Sequence, residues 1–329
     1  MTENPDPIIE VDNLEKQYRG SPVKAVAGIT LDVKRGEIFG LLGPNGAGKT
    51  TTIGILTTRI RPTAGSAKIA GVDVMGDPVA VKPHIAVVPQ RNNLDRALTA
   101  IENLTFHAAY FGMPYRERCE RAQKLLEDFG LKGREKEKVN NYSGGMAQRL
   151  MIARALMHFP DVLFLDEPTA GLDPQARLYL WDMIGQLNGN GLTVMLTTHD
   201  MDEAAKLCHR VAIMDHGRLL AMDTPDNLST LVPNGTRIEL KIRATELNET
   251  DRLRVVESIK ALNGVNSVDW TRTNGSEPLL RLYSERGGEL AVQAARLILK
   301  EGLELIDLHL AEPSLEDVFI HLTGKGLRN

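Results

Sequence analysis

The most constraining feature of the sequence is the glycine-rich segment GPNGAGKT at residues 43–50, which follows an apolar run and precedes a helical pattern. Glycines let the backbone turn successive N–H groups inward around an anion, and a helix start adds its positive dipole end. Lys49 supplies a cation for phosphate oxygens, and Thr50 supplies a hydroxyl for Mg²⁺. The segment therefore predicts a nucleoside-triphosphate site on a strand–loop–helix unit.

A second motif lies at residues 162–167, where VLFLDE forms an apolar strand pattern that ends in two acids. In proteins with such a glycine loop, the first acid, Asp166, holds the water shell of Mg²⁺, and Glu167 polarises the attacking water. The alternative interpretation is a strand end with two solvated acids. The glycine loop upstream favours hydrolysis of a nucleoside triphosphate.

Short β-branched runs alternate with helical patterns in the first two-thirds of the chain, which predicts an α/β fold with a parallel sheet. The strand patterns are at 8–11, 28–33, 37–42, 85–88, 161–165 and 192–197. The helical patterns are at 49–56, 100–111 and 115–129.

Composition limits the function and the compartment. Asp and Glu number 43 against 39 Lys and Arg, a net charge of −4, which argues against a dedicated nucleic-acid binder. No apolar run approaches the roughly 18 residues of a membrane span, and the first residues lack the pattern of a secretory signal. The cysteines, Cys119 and Cys208, stand alone, which excludes a disulfide framework and fits a reducing cytosol.

The sequence becomes polar at 224–235, where Pro225, Pro233 and Gly235 occur, and we place a domain boundary after residue 228. Residues 1–228 then contain both motifs, and residues 229–329 form a smaller α+β domain. The patterns of the second domain are strand, helix, strand, strand, helix, strand, at 237–243, 251–262, 265–271, 279–284, 289–300 and 303–309. That order is typical of a ferredoxin-like βαββαβ fold, and a last helical pattern follows at 315–322.

Further short motifs occur in a fixed order with the first two. Gln90 follows a strand pattern, SGG at 143–145 opens a helix, Gly-Leu-Asp stands at 171–173, and His199 ends another strand pattern. This ordered set resembles the motifs of the ATP-binding cassette (ABC) ATPases. The resemblance implies a P-loop NTPase fold of ABC type in residues 1–228, an ATPase activity, and ATP and Mg²⁺ as cofactors.

The resemblance implies a role for each motif. Tyr18 stands where the family places an aromatic residue that stacks on adenine, and Gln90 where a loop glutamine senses Mg²⁺ and the attacking water. Ser143 and the two glycines after it resemble the signature that caps the γ-phosphate of the opposite subunit. Asp173 resembles the D-loop aspartate that links the two sites of a dimer, and His199 the switch histidine at the γ-phosphate.

These roles assign catalysis to Glu167, His199, Gln90 and Lys49, and Mg²⁺ binding to Thr50, Gln90 and Asp166. The predicted nucleotide contacts are Tyr18, Gly43, Pro44, Asn45, Gly46, Ala47, Gly48, Lys49, Thr50, Thr51, Gln90, Ser143, Gly144, Gly145, Asp173 and His199. The signature departs from the commonest family pattern at Tyr142, where leucine is usual, and at Met146, where glutamine is usual. The missing glutamine leaves open any ribose contact by that residue.

In this family one subunit contributes the P-loop and acids while the other contributes the signature. One full motif set therefore predicts a nucleotide-sandwich homodimer, which ATP closes and hydrolysis opens. The tail PSLEDVFIHLTG at 313–324 and the segment 92–112 resemble ATPase subunits of the ABC-2 export class, which includes daunorubicin/doxorubicin resistance-type and nodulation-factor exporters. They predict export of an amphipathic drug, lipid or glycan through a separate ABC-2 permease, with the chain at the cytoplasmic face of the membrane.

Two other functions remain as alternatives. A soluble ABC ATPase that acts on nucleic acid or ribosomes usually has two cassettes or an inserted coiled coil or zinc segment, whereas this chain has one uninterrupted cassette and predicts no nucleic-acid partner. An importer ATPase with a regulatory tail is disfavoured by the signature and the tail. The tail helix, with its apolar Leu315, Val318, Phe319 and Leu322, is also compatible with packing onto its own domain.

Overall fold

The computed structural model describes residues 7–232, 236–243, 249–265, 267–271, 278–284, 287–311 and 313–324. The chain divides into two compact units between Pro225 and Asp226. The sequence suggests a boundary after residue 228, and Pro233 and Gly235, which contributed to that choice, lie outside the described residues. None of the helices in the described ranges combines the length and apolar character that crossing a membrane requires.

The first unit alternates strands and helices. Its strands are β1 (Pro7–Gln17), β2 (Lys24–Lys34), β3 (Ile38–Leu42), β4 (Ala64–Ile69), β5 (Val72–Asp73), β6 (Ile85–Val88), β7 (Val162–Asp166), β8 (Thr193–Thr198), β9 (Arg210–Asp215) and β10 (Arg218–Asp223). Its helices are α1 (Lys49–Leu56), α2 (Pro78–Val81), α3 (Ala100–Tyr110), α4 (Tyr115–Asp128), α5 (Gly144–Ala155), α6 (Pro174–Gly189) and α7 (Met201–Leu207), with short 3₁₀ turns at Lys82–His84 and Val139–Asn141.

The central sheet of this unit has six strands in the order β10-β9-β3-β8-β7-β6. All neighbours pair in parallel except β10 with β9. Strands β3, β7 and β8 are buried along their whole length, as their continuous apolar and β-branched sequences predict. Because the carboxyl ends of parallel strands meet at one edge, the loops after β3, β6, β7 and β8 come together there. This confirms the predicted α/β fold.

A second, antiparallel sheet in the order β2-β1-β4-β5 completes the first unit. The sequence predicts only the parts of β1 and β2 at 8–11 and 28–33. The register between these strands shifts at several points, for example between Val11 and Leu14. Each shift interrupts the two-residue alternation, so the sequence pattern marks only those parts of the two strands.

Helices α3, α4 and α5 pack against one another and form a helical group within the first unit. Helix α3 begins with a capping box, in which Thr99 and Glu102 each accept the other's backbone N–H. Leu104, Leu126 and Leu150, one from each helix, are fully buried. This group fixes the start of α5, where the signature serine lies.

The second unit contains α9 (Glu249–Lys260), α10 (Gly287–Lys300) and a four-stranded antiparallel sheet, and the short α8 (Pro225–Ser229) spans the division. Its strands are β11 (Thr236–Arg243), β12 (Ser267–Thr271), β13 (Leu279–Ser284) and β14 (Glu304–Ala311), in the order β12-β13-β11-β14. Both the chain order and the sheet order are those of a ferredoxin-like fold. Apolar residues of β11, β13, α9 and α10 form its core.

The last helix, α11 (Leu315–Thr323), is fastened within the second unit by a buried acid. Asp317 is 3% exposed and accepts a hydrogen bond from Arg237 of β11 at 2.8 Å. It also accepts the phenol of Tyr283 on β13 and the hydroxyl of Ser314. Packing within its own unit, one of the two interpretations of the amphipathic tail, is thus the arrangement in the structure.

Candidate nucleotide-binding and hydrolysis site

The loop at residues 43–48 connects β3 to α1 in a conformation that requires glycine. A Cβ atom on Gly43 would lie 2.2 Å from the carbonyl oxygen of Met214, and one on Gly48 would lie 2.4 Å from that of Ala25. Gly48 caps α1 with φ 107°, and Gly46 has φ 83°. A tight glycine turn at the N-terminus of a helix presents N–H groups to an anion, so the loop fits the phosphates of a nucleotide.

Lys49 is the cation of this loop and is only 5% exposed. Its Nζ donates hydrogen bonds to the carbonyl oxygens of Gly43 at 2.6 Å and Pro44 at 3.1 Å, and lies 3.8 Å from Glu167 Oε1. Burial lowers the pKa of Lys49, whereas the charges of Glu167 and Asp166 oppose that effect. The ammonium group is therefore held between the loop and the two acids.

The other residues of the loop differ in exposure: Pro44 and Ala47 are buried, and Asn45 is exposed. Tyr18, at the end of β1, has its hydroxyl 3.4 Å from Thr51 Oγ1 in the first turn of α1. The tyrosine is 44% exposed, so it is partly open to solvent beside the loop. The structure thus places the predicted adenine-stacking residue next to the predicted phosphate loop.

Two possible oxygen ligands, Thr50 Oγ1 and Asp166 Oδ1, meet at the predicted Mg²⁺ position. Thr50 Oγ1 donates to Asp166 Oδ1 at 3.2 Å, and Thr197 Oγ1, on the neighbouring strand β8, donates to the same oxygen at 2.6 Å. Hydroxyl and carboxylate oxygens are the ligands that Mg²⁺ prefers, usually together with substrate phosphates and water. The donor set therefore fits Mg²⁺ in a nucleotide complex.

The carboxylate of Glu167 is the point at which the predicted catalytic residues meet. Gln90 Nε2 donates to its Oε2 at 2.8 Å, His199 Nδ1 lies 3.4 Å from its Oε1, and Lys49 Nζ lies 3.8 Å from that same oxygen. Glu167 has φ 48°, a left-handed conformation that costs about 1 kcal/mol or more in a residue other than glycine. The backbone N–H of Glu167, which donates to Thr197, holds this conformation.

The signature and the D-loop occupy a separate pocket. Ser143 caps α5 by accepting the N–H of Met146, and Asp173 caps α6 by accepting the N–H of Ala176 at 2.8 Å. Ser143, Gly144, Gly145 and Asp173 line this pocket of about 380 Å³ together with Met146, Gln148, Arg149, Gly171 and Tyr179, among others. None of its lining residues belongs to the glycine loop, so the structure brings the predicted residues together as two groups.

The two unusual signature residues have distinct environments. The hydroxyl of Tyr142 donates to the carbonyl oxygen of Arg134 at 2.9 Å, which ties the start of the signature to the turn after α4. Met146 lines the signature pocket beside Arg149. The tyrosine at position 142 therefore makes a hydrogen bond that the usual leucine could not make.

Two residues near the site were not predicted from the sequence. Thr197 bonds to Asp166 and Glu167, although β8 reads simply as a buried strand. Glu203, in α7, is completely buried, although its sequence context MDEAA is typical of a solvated first turn. For Thr197, the only local signal is a hydroxyl at the carboxyl end of a buried strand. For Glu203, the neighbouring sequence gives no signal of burial.

The chain is similar in sequence to known ATP-binding proteins of transporters. The family model described as ABC transporter matches residues 26–170. A daunorubicin resistance ATP-binding protein of Streptomyces coeruleorubidus is 40% identical, over 98% of this chain and 98% of that protein. A linearmycin resistance ATP-binding protein of Bacillus subtilis is 35% identical over 98% and 100%, and a Nod factor export ATP-binding protein of Ralstonia nicotianae is 36% identical over 98% and 96%.

Solved structures show the same architecture. A component of an ABC transporter complex from Clostridium perfringens has a TM-score of 0.64 and 26% identity, covering 77% of this chain and 95% of its own. A dimeric ATP-binding cassette solved after hydrolysis, with ADP and Pi bound, has a TM-score of 0.60 and 29% identity, covering 66% and 98%. Since the similarity extends over nearly the whole chain and includes the loop and acids described above, the chain belongs to the ABC transporter family and is one of its ATP-binding, ATP-hydrolysing subunits.

Proposed function

We propose that this ATPase powers export of an amphipathic substrate of drug, lipid or glycan type through a separate ABC-2 permease. The relatives that it resembles along their whole length are named for resistance to daunorubicin or linearmycin and for export of Nod factor. These compounds share an amphipathic character, which supports that substrate class. No observation favours an importer or a nucleic-acid ATPase, and the net charge of −4 favours neither DNA nor RNA binding.

The convergence of Gln90, His199 and Lys49 on the carboxylate of Glu167 is the observation that carries the hydrolytic part of the proposal. Glu167 acts as the general base that accepts the proton of the attacking water. Gln90 and His199 hold that carboxylate in place, and His199 also contacts the γ-phosphate. Bound Mg²⁺·ATP supplies the phosphoanhydride bond and the positive charge that neutralises its oxygens.

The remaining site residues bind the nucleotide. The N–H groups of Asn45, Gly46, Gly48 and the first turn of α1 would surround the phosphates, and Lys49 would bind the terminal phosphate oxygens. Thr50, Asp166 and Gln90 would hold Mg²⁺, and Tyr18 would stack on adenine. Thr51, whose hydroxyl lies 3.4 Å from that of Tyr18, would also contact the nucleotide.

The separate signature pocket supports a homodimer. Because Ser143, Gly144, Gly145 and Asp173 line a pocket without any residue of the glycine loop, we propose that they complete the site of a second copy. The N-terminus of α5, with Ser143 as its cap, then faces the γ-phosphate of the partner. A related cassette was solved as a dimer with ADP and Pi.

ATP binding closes this dimer and hydrolysis opens it, and we propose that the movement is passed to the permease. The chain would then lie at the cytoplasmic face of the membrane, bound through the permease. The segment 92–112, which contains α3, is our candidate for the contact with that permease.

ATP turnover of the Glu167→Gln variant tests the hydrolytic assignment. The glutamine amide cannot accept the proton, so turnover is expected to fall at least about 100-fold, while ATP binding persists. Gel filtration with ATP should then show a trapped dimer. Turnover at the wild-type rate would show that Glu167 is not the base.

The export assignment is tested by isolating the membrane protein that copurifies with the chain and reconstituting the two together. Daunorubicin is the probe, and we expect it to stimulate ATP turnover of the reconstituted complex and to be transported into inverted vesicles. The Glu167→Gln complex is the matched control and should transport none. ATP-dependent transport in the opposite direction would support the importer alternative and contradict export.

A further inference from the structure

Glu203 is a buried acid that the proposed mechanism does not use. It lies in the first turn of α7, shortly after His199, and has 0% exposure. Its Oε1 accepts hydrogen bonds from Thr169 Oγ1 at 2.8 Å and from Trp181 Nε1 at 3.0 Å. Because acids are almost never fully buried without a partner, the two donors point to what this carboxyl does.

The donors come from the two sides of the D-loop. Thr169 lies in the turn that directly follows Glu167. Trp181 lies on α6, the helix that Asp173 caps. One oxygen of Glu203 therefore joins α7 to the chain on both sides of the D-loop.

A second contact joins the same elements. Asp200, the residue after His199, caps α7 by accepting the N–H of Glu203 at 3.0 Å. Its Oδ2 also accepts a hydrogen bond from Arg177 of α6 at 2.6 Å. The chain that carries the switch histidine is thus held to α6 at two successive points.

Hydrogen bonds hold the carboxyl of Glu203 in its buried position. Burial raises its pKa, and the hydrogen bonds of the carboxyl, among them those from Trp181 and Thr169, oppose that effect. Among the described residues, Oε2 has no hydrogen-bond partner. A glutamine amide has an oxygen that can accept the same two hydrogen bonds. A glutamine variant therefore separates the effect of these bonds from the effect of an ionisable carboxyl group.

We propose that Glu203 is a positioning residue for ATP hydrolysis, which sets the position of Glu167 and Asp173 relative to His199. The gap between His199 Nδ1 and Glu167 Oε1 is 3.4 Å. A displacement of about 1 Å at a reacting group costs on the order of 100-fold in rate. The proposal rests on the catalytic roles proposed above for Glu167 and His199.

The experiment compares three full-length variants in steady-state ATP turnover, nucleotide titration and thermal unfolding. Glu203→Leu keeps the side-chain volume but removes the acceptor. Glu203→Gln restores the acceptor without the acid. Asp202→Leu is the matched control, because Asp202 is the exposed neighbour on the same helix.

We expect Glu203→Leu to lower kcat about tenfold or more, while the Kd for ATP changes less than about threefold, because the glycine loop is untouched. Glu203→Gln should recover most of the lost kcat, and Asp202→Leu should keep it. A Glu203→Leu variant with wild-type kcat overturns the proposal. So does a Glu203→Gln variant that loses as much kcat as the leucine variant, or an equal loss of kcat and ATP affinity.

A second pair of substitutions keeps the proposal testable should Glu203→Leu not fold. Thr169→Val and Trp181→Phe remove the two donors while Glu203 remains, and together they should reproduce the loss of kcat. Wild-type kcat in the folded double variant overturns the proposal. Glu167→Gln, measured in parallel, separates the two ideas: if it turns over ATP normally the proposed function fails, whereas if only the Glu203 variants do, the positioning role alone fails.

Discussion

The side-chain amide of Gln90 donates a hydrogen bond of 2.8 Å to Oε2 of Glu167. Gln90 follows β6 and Glu167 follows β7, two strands that pair in parallel, so both residues lie at the same edge of the sheet. Gln90 also begins the segment that leads to α3. Gln90 therefore connects Glu167, the proposed general base, to the segment 92–112, the proposed permease contact. A shift of that segment would move the carboxylate of Glu167.

Replacing Gln90 with Ala removes this hydrogen bond to the carboxylate. A hydrogen bond to a charged group contributes about 1.5–3 kcal/mol, so the variant is expected to lose about 10- to 100-fold in kcat. Steady-state ATP turnover at saturating Mg²⁺ measures the loss. Gln186→Ala, an exposed glutamine on α6, is the matched control and should keep the wild-type kcat.

A Mg²⁺ titration of the Gln90→Ala variant separates the two roles proposed for this residue. If Gln90 only holds Glu167, half-maximal turnover will need the same Mg²⁺ concentration as in the wild type. If it also contacts the metal, that concentration will rise. An unchanged kcat at saturating Mg²⁺ contradicts the role in holding Glu167, and an unchanged Mg²⁺ requirement contradicts the metal contact.

Alanine at Gly48 should destabilise the protein more than alanine at Gly46. Both residues have positive φ, 107° and 83°, which costs an alanine about 1–2 kcal/mol. A Cβ on Gly48 would also lie 2.4 Å from the carbonyl oxygen of Ala25, whereas one on Gly46 meets no atom within 4 Å. Urea unfolding without nucleotide should therefore show a cost of about 1–2 kcal/mol for Gly46→Ala and a clearly larger one for Gly48→Ala. Equal costs would mean that the contact with Ala25 is relieved without strain.

The phosphate loop could be predicted because its requirements are local. Glycines, a lysine and a threonine stand between a strand pattern and a helix pattern, and the observed α1 begins at Lys49 as predicted. The acids Asp166 and Glu167 are likewise marked by the buried strand before them. In each case the neighbouring residues determine the conformation.

The contacts made across the fold could not be predicted in the same way. Glu203 meets Thr169 and Trp181 only because α7 packs beside α6, and its own neighbours in sequence are those of an ordinary helix start. Strands β4, β5, β9 and β10 were not predicted either. In β4 and β10 few positions are buried, so the apolar signal is weak. Tertiary packing determines whether such segments form strands, and the sequence pattern alone does not.

His107 should make stability depend on pH between about 4 and 6.5. Burial, with smaller effects from the charges of Arg154 and His158, lowers its pKa to about 4. The unfolded chain takes up a proton on this residue near pH 6.5, before the folded chain does. The free energy of unfolding therefore falls as pH drops from about 6.5 to about 4, and this contribution becomes constant below that value.

The His107→Gln variant tests this effect, because glutamine cannot take up the proton. Urea unfolding at a series of pH values should give a shallower decline below pH 6.5 than in the wild type. The two curves should be parallel above pH 7, where the histidine is neutral in both states. Parallel curves over the whole range would show that His107 does not contribute.

Asp317 should be the residue on which the tail helix most depends. Burial alone would raise its pKa, but hydrogen bonds from Tyr283 and Ser314 and the charge of Arg237 outweigh burial and lower it. Replacing it with alanine removes one ion-pair partner of Arg237, which keeps Glu239 at 3.3 Å, and leaves the phenol of Tyr283 without its acceptor, at a cost of about 1–3 kcal/mol. Chemical unfolding of the second unit measures this cost. Glu316→Ala, a half-exposed acid 3.9 Å from Arg281, should cost less than about 1 kcal/mol.

The sign of the pH dependence gives a second check on Asp317. Because its pKa is lower in the folded state, its contribution is fully present above the unfolded value of about 3.9 and is lost as pH falls through the folded value. The difference in stability between wild type and Asp317→Ala should therefore be constant near pH 7 and shrink in acid. A difference that stays the same below pH 3 would mean that Asp317 stabilises the helix through packing, since the carboxylate and its bond to Arg237 would then contribute nothing.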